Sequence, residues 1–200
     1  MKKPISLVAG AAALFWSIDV RADSFDDYRV ACDTTQSSAA QAAVDEAHRK
    51  LKSAIDSLPA VNSDVGAKFQ RWFGGAEGDD DPIIKNVYLE VNGFLTFKTF
   101  WCPNKSMPDD DLGTLAFVPK GSFSEVFLES GFFALPATGA NSQGGAIIHE
   151  ASHQATSARI VDNEYGPSQS EQLAKSAPQK ARRNADSLEY FAEDVADGIP

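Results

Sequence analysis

The chain has 200 residues, of which 43% are hydrophobic, 10% aromatic and 23% charged. This length supports one domain with a substantial core, and the composition excludes a disordered, collagen-like or multi-span membrane protein. The formal net charge of −10 argues against nucleic acid and anionic membrane surfaces as partners, because both are bound through basic patches.

Residues 1–22 have the three parts of a secretory signal peptide. The basic pair Lys2-Lys3 precedes a short apolar run over residues 5–18, and Val20-Arg21-Ala22 forms a small-residue cleavage site. A retained membrane anchor is the alternative, but the apolar run is shorter than the ~20 residues that span a bilayer. We therefore expect a secreted or periplasmic protein with a single domain over residues 23–200.

The mature chain contains two cysteines, Cys32 and Cys102. Exported proteins fold under oxidising conditions, where an even number of cysteines can pair within the chain. Closing a loop of about 70 residues would stabilise the fold by up to ~4 kcal/mol. We predict one disulfide between the two cysteines, with two separate thiols as the alternative.

The first element of the mature chain is predicted to be an amphipathic helix from Ser37 to Leu58, ended by Pro59. Its apolar residues recur three or four positions apart and are Ala40, Ala43, Val44, Ala47, Leu51, Ala54, Ile55 and Leu58. His48 on this helix has no partner motif nearby, so we interpret it as a surface or packed histidine. Residues 72–82 are predicted to form a turn region. We interpret its acidic run, residues 77–82, as a solvated loop, with calcium binding as the alternative.

Strands are predicted in the middle of the chain. Residues 83–100 place β-branched and aromatic residues in near alternation, and Asn92-Gly93 interrupts them, which predicts a hairpin. Two more short strands are expected at residues 115–119 and 125–128. The sequence therefore predicts an α+β domain with a small sheet.

The clearest chemical signal is the segment His149-Glu150-Ala151-Ser152-His153. Residues four apart on a helix project from one face, so His149 and His153 can present two imidazole nitrogens to one metal ion. Glu150 then lies beside the open coordination position, where it can take a proton from a metal-bound water and pass it to a leaving amine. Asn141-Ser142 offers N-cap residues for this helix. A pair of ordinary helical histidines is the alternative.

Zinc is the metal that these residue types favour. Imidazole and carboxylate ligands in a tetrahedral site with one open position suit zinc, which lowers the pKa of a bound water from ~16 to about 7. A catalytic zinc needs a third protein ligand, and the downstream candidates are the carboxylates of Asp162, Glu164 and Glu171. The residues alone leave the choice among these three open.

The histidine motif followed by Asp162-x-x-Tyr165-Gly166 is similar to the signature of the aspzincin metalloendopeptidases. The later part of the chain resembles the peptidyl-Lys branch of that family in particular. The segments that carry this second likeness are residues 173–176, 180–181, 184–186 and 189–193. Weaker likenesses extend over nearly all of the mature chain, which is therefore identified as a member of the family.

The resemblance implies a site in which zinc is held by His149, His153 and Asp162, with Glu150 as the general base. It also implies that the Tyr165 hydroxyl lies near the substrate carbonyl. Peptide hydrolysis passes through a tetrahedral oxyanion, which a phenol donor can stabilise together with the metal. For Tyr165 a packed turn aromatic is the alternative, and for Asp162 an ordinary loop carboxylate.

The peptidyl-Lys resemblance further implies that Asp186 and Glu189 bind the ammonium group of a substrate lysine. The two carboxylates lie three apart on a predicted helix that Ser176 caps and Pro178 begins, so they face the same way. The expected reaction is cleavage on the amino side of lysine in a protein or peptide. Without the resemblance these two residues would be interpreted as a solvated face.

The resemblance implies a zincin-like α+β fold, mainly helical with a small, mostly antiparallel sheet, and we expect a monomer. One departure is the segment 157–161, which replaces a Gly-Thr pair that the family usually has shortly before the ligand aspartate. Arg159 in this segment, close to the metal, can pair with a carboxylate and so alter specificity. Two other hypotheses stay open, a metal-binding interaction module without proteolysis and a toxin or effector protease dedicated to one target. The presence of Glu150 argues against the first, because zinc binding alone needs no general base.

Overall fold

The computed structural model describes five stretches of the chain, residues 25–58, 63–75, 82–104, 115–119 and 121–199. Within them lie seven α-helices and one three-stranded sheet. The helices are α1 (Thr34–Ser57), α2 (Ser63–Phe73), α3 (Pro82–Leu95), α4 (Gln143–Ser152), α5 (Pro167–Ser176), α6 (Pro178–Ala181) and α7 (Ala185–Asp197). The strands are β1 (Thr99–Trp101), β2 (Ala116–Phe117) and β3 (Glu125–Leu128). The predicted fold class, α+β and mainly helical with a small sheet, is confirmed.

Three predictions concern residues outside these stretches. They are the signal peptide at residues 1–22, the helix end at Pro59, and the solvated loop formed by the acidic residues of the run at 77–82. Across the five stretches, none of the helices has both the length and the apolar character that crossing a membrane requires.

The predicted amphipathic helix is present as α1. It begins earlier than expected because Asp33 and Gln36 form a capping box, in which each side chain accepts the backbone N–H of the other residue. Its apolar stripe is buried against α3, α4 and α7. His48 is a packed histidine, as interpreted, with its Nδ1 2.7 Å from the Asn92 Oδ1 on α3.

The predicted hairpin at residues 83–100 is wrong, because most of this segment forms α3. The buried residues of the helix are Ile84, Val87, Tyr88, Val91 and Leu95, which follow the three- and four-residue spacing of a helix. Leu89, which fitted the alternating pattern, is 48% exposed. Asn92 and Gly93 lie inside the last turns of α3, so they form no hairpin turn.

The predicted turn at residues 72–74 is also wrong, since Trp72 and Phe73 form the end of α2 and are fully buried. The helix stops at Gly74, whose φ of 66° is in the left-handed region. A Cβ at this position would lie 2.1 Å from the Ala174 carbonyl oxygen on α5. Only glycine therefore permits α2 and α5 to approach this closely.

The two strands predicted at residues 115–119 and 125–128 are confirmed, and they form an antiparallel pair with Phe117 opposite Phe127. The strand β1 adds to the other edge of β3 in the parallel direction, with Phe100 opposite Val126. The sheet order is β1-β3-β2, so the sheet is mixed rather than mostly antiparallel. The predicted disulfide is present and joins Cys32, just before α1, to Cys102, just after β1.

The helix α4 lies at the centre of the fold, in contact with α1, α3 and α7. Every residue from Gly144 to Ser152 is buried. As predicted, the helix begins after Asn141-Ser142, and the Ser142 hydroxyl caps it by accepting the Gly145 N–H at 3.0 Å. A helix enclosed on all sides is a rigid support for the side chains that it carries.

The predicted C-terminal helix that Ser176 caps and Pro178 begins is divided in two. Pro178 begins the short helix α6, whose N-cap is Ala177, whereas Asp186 and Glu189 lie on α7, whose N-cap is Asn184. The division has a backbone cause. The Arg183 carbonyl accepts the Val161 N–H at 2.9 Å, and the Ala185 N–H donates to the Val161 carbonyl at 3.2 Å. These groups are therefore occupied by a strand-like bridge instead of helical bonds.

Candidate metal centre

Three side chains converge beside the centre of the fold. His149 lies on the last turn of α4 and His153 at its C-cap, and their ring centroids are 5.1 Å apart. The Asp162 Oδ1 lies 3.2 Å from the Nε2 of His149 and 3.2 Å from the Nε2 of His153. Of the three carboxylates considered as a third ligand, the structure brings Asp162 to the histidines. Glu164 is exposed, and Glu171 pairs with Arg71 at 2.7 Å.

This arrangement fits a tetrahedral zinc. Bonds of about 2.0–2.1 Å at tetrahedral angles separate two ligand atoms by ~3.3 Å. The two distances of 3.2 Å between Asp162 and the histidines match that value, and all three ligand atoms lie within 4.8 Å of one another. Two imidazoles and one carboxylate leave a fourth tetrahedral position for water or substrate.

The electrostatics of the site favour a cation at the same place. Burial by itself lowers the pKa of His149, but the hydrogen bonds of Asp162, Asp186 and Glu189 outweigh it, so that the pKa is raised well above the ordinary value. Burial also acts on Asp162, and there the two histidines outweigh it and lower the pKa of the carboxyl group. The carboxylates thus create a negative potential around the two Nε2 atoms, which a divalent ion would neutralise.

Each histidine has an oxygen atom facing the nitrogen that points away from Asp162. The Nδ1 of His149 lies 2.7 Å from the Asp186 Oδ1, and the Nδ1 of His153 lies 3.4 Å from the Ile160 carbonyl oxygen. A proton held on Nδ1 by such an oxygen leaves Nε2 as the metal-binding atom and fixes the ring orientation. The structure therefore sets the tautomer that metal binding needs.

Glu150 lies next to the first histidine and is 3% exposed. Burial raises the pKa of this carboxyl group to about 7, while the two nearby histidines and the Val118 backbone N–H act in the opposite direction. A carboxylate with a pKa near neutrality can both accept and return a proton under physiological conditions. Val118 follows β2, so the edge of the sheet contributes directly to holding this side chain.

Tyr165 follows Asp162 by three residues, and its side chain is half-buried. Burial raises the pKa of the phenol, and the negative charge of Asp162 raises it further. The hydroxyl therefore keeps its proton at neutral pH and can act as a hydrogen-bond donor.

Asp186 and Glu189 lie on the first two turns of α7 and face α4. They are 1% and 2% exposed, so neither forms part of an open surface. Both oxygens of Asp186 face protein groups, with Oδ1 at the His149 Nδ1 and Oδ2 accepting the Gly166 N–H at 2.5 Å. Sequence reasoning missed this positioning role, by which Asp186 joins a histidine to the residue that follows Tyr165.

The segment that carries Asp162 is held by hydrogen bonds both before and after this residue. On one side, Glu90 of α3 accepts the Ser157 N–H at 3.1 Å and the Thr156 hydroxyl at 3.2 Å. On the other side, the Asn184 side chain accepts the backbone N–H groups of Asn163 and Glu164 at 2.8 and 3.1 Å. These contacts position the Asp162 carboxylate at the two histidines, although the sequence has no Gly-Thr pair in this segment.

Comparison with known proteins agrees with this geometry. A sequence model of the aspzincin family, described as lysine-specific metallo-endopeptidase, matches residues 59–193. The chain belongs to the aspzincin family. A peptidyl-Lys metalloendopeptidase from Pleurotus ostreatus is 32% identical over 166 residues, which cover 82% of this chain and 95% of that protein. This aspzincin is therefore a metalloendopeptidase, a peptide hydrolase with a zinc cofactor.

Two further relatives extend the comparison. An extracellular protease from Aeromonas hydrophila is 32% identical over 166 residues, which cover 82% of this aspzincin and 46% of that longer protein. The solved structure of a zinc peptidase from Grifola frondosa matches with a TM-score of 0.71 at 29% identity. That match covers 82% of this aspzincin and 97% of the solved chain, so the two share one fold over the whole peptidase.

A buried carboxylate supports the start of the metal-binding helix in this aspzincin. Glu193 of α7 accepts the Asn141 N–H at 2.9 Å, the Ser142 N–H at 3.0 Å and the Ser142 hydroxyl at 2.6 Å. Burial raises the pKa of Glu193, while the bonds from Ser142 and the charge of Lys50 act against that rise. Glu193 thus places the N-cap of α4 and, through the helix, the two histidines.

Lys50 of α1 is fully buried and provides the positive charge for this region. Its Nζ lies 2.5 Å from the Asp197 Oδ2, 3.3 Å from the Gly139 carbonyl oxygen and 3.6 Å from the Glu193 Oε1. Sequence reasoning did not identify Lys50 as a buried residue. Its position three residues after Ala47 and four before Ala54, on the apolar stripe, was the signal that it is buried.

Proposed function

We propose that this aspzincin hydrolyses peptide bonds with zinc held by His149, His153 and Asp162 and with Glu150 as the general base. The observation that carries the proposal is the convergence of two Nε2 atoms and one carboxylate oxygen at tetrahedral spacing, next to a buried glutamate. Neither an interaction module nor a purely structural metal site needs that glutamate, because metal binding alone requires no proton acceptor.

The side chains divide the reaction between them. Zinc, when bound, supplies a Lewis acid that lowers the pKa of water toward about 7. Glu150 takes the proton from the attacking water and passes it to the nitrogen of the leaving amine. The Tyr165 hydroxyl, protonated at neutral pH, donates a hydrogen bond to the oxyanion that forms from the substrate carbonyl. Asp186 keeps the His149 ring in its working orientation throughout.

Cleavage on the amino side of lysine is the proposed specificity. Asp186 and Glu189 place two carboxylates beside the metal centre, and the nearby Glu193 adds a third. Burial and the charges of Glu193 and Asp186 raise the pKa of Glu189 to about 8, so this carboxyl group is largely protonated until a cation approaches, and a substrate ammonium beside it would favour its ionised form. The names of the family and of the Pleurotus ostreatus relative both refer to lysine, which supports this specificity.

The proposed form of the enzyme is an exported monomer that acts on lysine-containing proteins or peptides. In this proposal, residues 1–22 are the signal peptide and residues 23–200 are the catalytic domain. Support comes from the basic and apolar start of the sequence, from the disulfide between Cys32 and Cys102, and from the likeness to an extracellular protease.

The test uses residues 23–200, an unstructured lysine-containing protein, and mass spectrometry of the products. We expect cuts on the amino side of lysine, about one zinc per chain, and a loss of at least ~100-fold in rate for Glu150→Gln with zinc retained. The matched control is Glu164→Gln, which removes an exposed carboxylate in the neighbouring loop. Cuts without lysine preference would refute the specificity, and a Glu150→Gln variant as active as the parent would refute the assignment of the base.

A further inference from the structure

A surface cavity with a basic lining lies beside the segment that carries Asp162. Its volume is about 510 Å³, and its lining residues are Arg159, Val161, Asn163, Gln179, Lys180 and Arg183. The three basic side chains are all exposed, in a chain whose formal net charge is −10. A cluster of positive charge is therefore a local exception on an acidic protein.

Within the part of the chain that the structure describes, the ion pairs that stabilise the fold do not include the three basic side chains of this cavity. Other arginines are held by carboxylates, such as Arg29 by Glu125 and Arg71 by Glu171, each at 2.7 Å. Among the residues that the structure describes, none forms an ion pair with Arg159, Lys180 or Arg183. Unpaired like charges repel one another, so their proximity slightly destabilises the fold. A bound anion would reduce this repulsion.

The backbone places the cavity next to the metal centre but on the opposite face of one segment. Val161 is bridged to Asn184 in the parallel direction, and successive side chains of an extended segment point to opposite sides. Ile160 is buried and Asp162 faces the histidines, whereas Arg159 and Val161 line the cavity. A ligand in the cavity would therefore lie outside the reaction centre and directly behind a proposed metal ligand.

We propose that this cavity is an exosite that binds an acidic segment of the protein substrate, away from the scissile bond. The inference rests on the proposed endopeptidase function, because the cavity lies on the segment that carries Asp162 and a protein substrate extends beyond the metal centre. Guanidinium groups bind carboxylates through paired hydrogen bonds, and Gln179 adds an amide donor beside them. A long polyanion such as nucleic acid fits less well, because the acidic remainder of the surface repels it.

The first test measures binding without catalysis. Two fluorescent peptides without lysine are compared, one with four glutamates and one with four glutamines, using the zinc-loaded Glu150→Gln chain and fluorescence anisotropy. We expect the glutamate peptide to bind ~5- to 10-fold more tightly at low salt and the difference to shrink at high salt. Adding Arg159→Gln and Arg183→Gln should abolish the difference. Equal binding of the two peptides at low salt would overturn the exosite.

The second test measures cleavage by the active enzyme. Peptides with one lysine carry the same four glutamates or glutamines on either the amino or the carboxyl side. We expect a lower KM for one of the two glutamate peptides, and the ratio of kcat/KM between glutamate and glutamine peptides should fall to about one in Arg159→Gln with Arg183→Gln.

The matched control for both tests is Lys52→Gln with Lys85→Gln, which removes the same charge elsewhere on the surface. An equal loss of the glutamate preference in this control would overturn the exosite in favour of a bulk charge effect. If the active enzyme cleaves none of the peptides while the binding difference is present, the proposed lysine endopeptidase function fails and the anion site stands.

Discussion

Replacing Glu193 by glutamine should destabilise this aspzincin far more than an exposed charge change does. Glu193 is buried, accepts three hydrogen bonds at the start of α4, and lies 3.6 Å from the buried Lys50 Nζ. An amide retains one acceptor oxygen but places an NH2 group against donors and removes the charge. Hydrogen bonds to a charged group contribute ~1.5–3 kcal/mol each, and breaking a buried pair costs ~3–5 kcal/mol. Because Lys50 keeps Asp197, we expect a loss of ~3 kcal/mol in the free energy of unfolding.

For a chain of this size, that loss corresponds to a decrease of ~6–12 °C in Tm. The assay is thermal and urea unfolding of the zinc-free protein near neutral pH, followed by circular dichroism. The control is Asp56→Asn, which breaks the exposed pair with Lys52 on α1 and should cost less than ~1 kcal/mol. A Glu193→Gln variant that loses no more stability than this control would refute the role of Glu193 in holding α4.

Two further predictions concern the metal and pH. Asp186→Asn should lower the zinc affinity by ~10- to 100-fold, because the carboxylate that orients His149 is lost, and competition with a chelator measures this; an affinity within twofold of the parent would contradict the positioning role. Burial raises the pKa of Asp197, but Lys50, Arg49 and the Gly139 N–H outweigh it, so the pKa is lowered from its ordinary 3.8. Its contribution to stability should be present above pH 3.8 and be lost as the pH falls through the lowered value, because the unfolded state then binds more protons. Urea unfolding from pH 6 to about 2 should show a steeper acid loss for the parent than for Asp197→Asn, and parallel curves would contradict this.

The parts of the fold that the sequence predicted are those with one dominant local signal. The helix α1 has a long apolar stripe and a capping pair, and the metal-binding helix has Ser142 at its start. In α3 the signals conflicted, because Val87, Leu89 and Val91 alternate while Asn92-Gly93 is typical of a hairpin turn. Packing against α1 and α4 decided for the helix, and that contact is not visible in local sequence.

The candidate site shows the same limit of prediction from local sequence. The motif from His149 to His153 was enough to predict metal binding, since helical spacing alone brings the two rings together. The groups that hold the site come from distant positions, as with Glu90 on the segment before Asp162 and Asp186 on His149. No local pattern marks them, because each depends on how two helices and a loop meet in three dimensions.

The crossing of α4 and α7 has a consequence for how this enzyme can change during evolution or engineering. A Cβ on Gly145 would lie 2.2 Å from the Glu193 Oε1 and 2.7 Å from the Glu189 Oε1, so any side chain at this position would displace two buried carboxylates of α7. The same contact sets how closely the metal-binding helix packs against Glu193 and against the proposed lysine-binding Glu189. A substitution of Gly145 would therefore change thermal stability and substrate preference together. Variation in specificity is expected to accumulate instead on outer surfaces such as the basic cavity, where a changed side chain leaves the helix crossing intact.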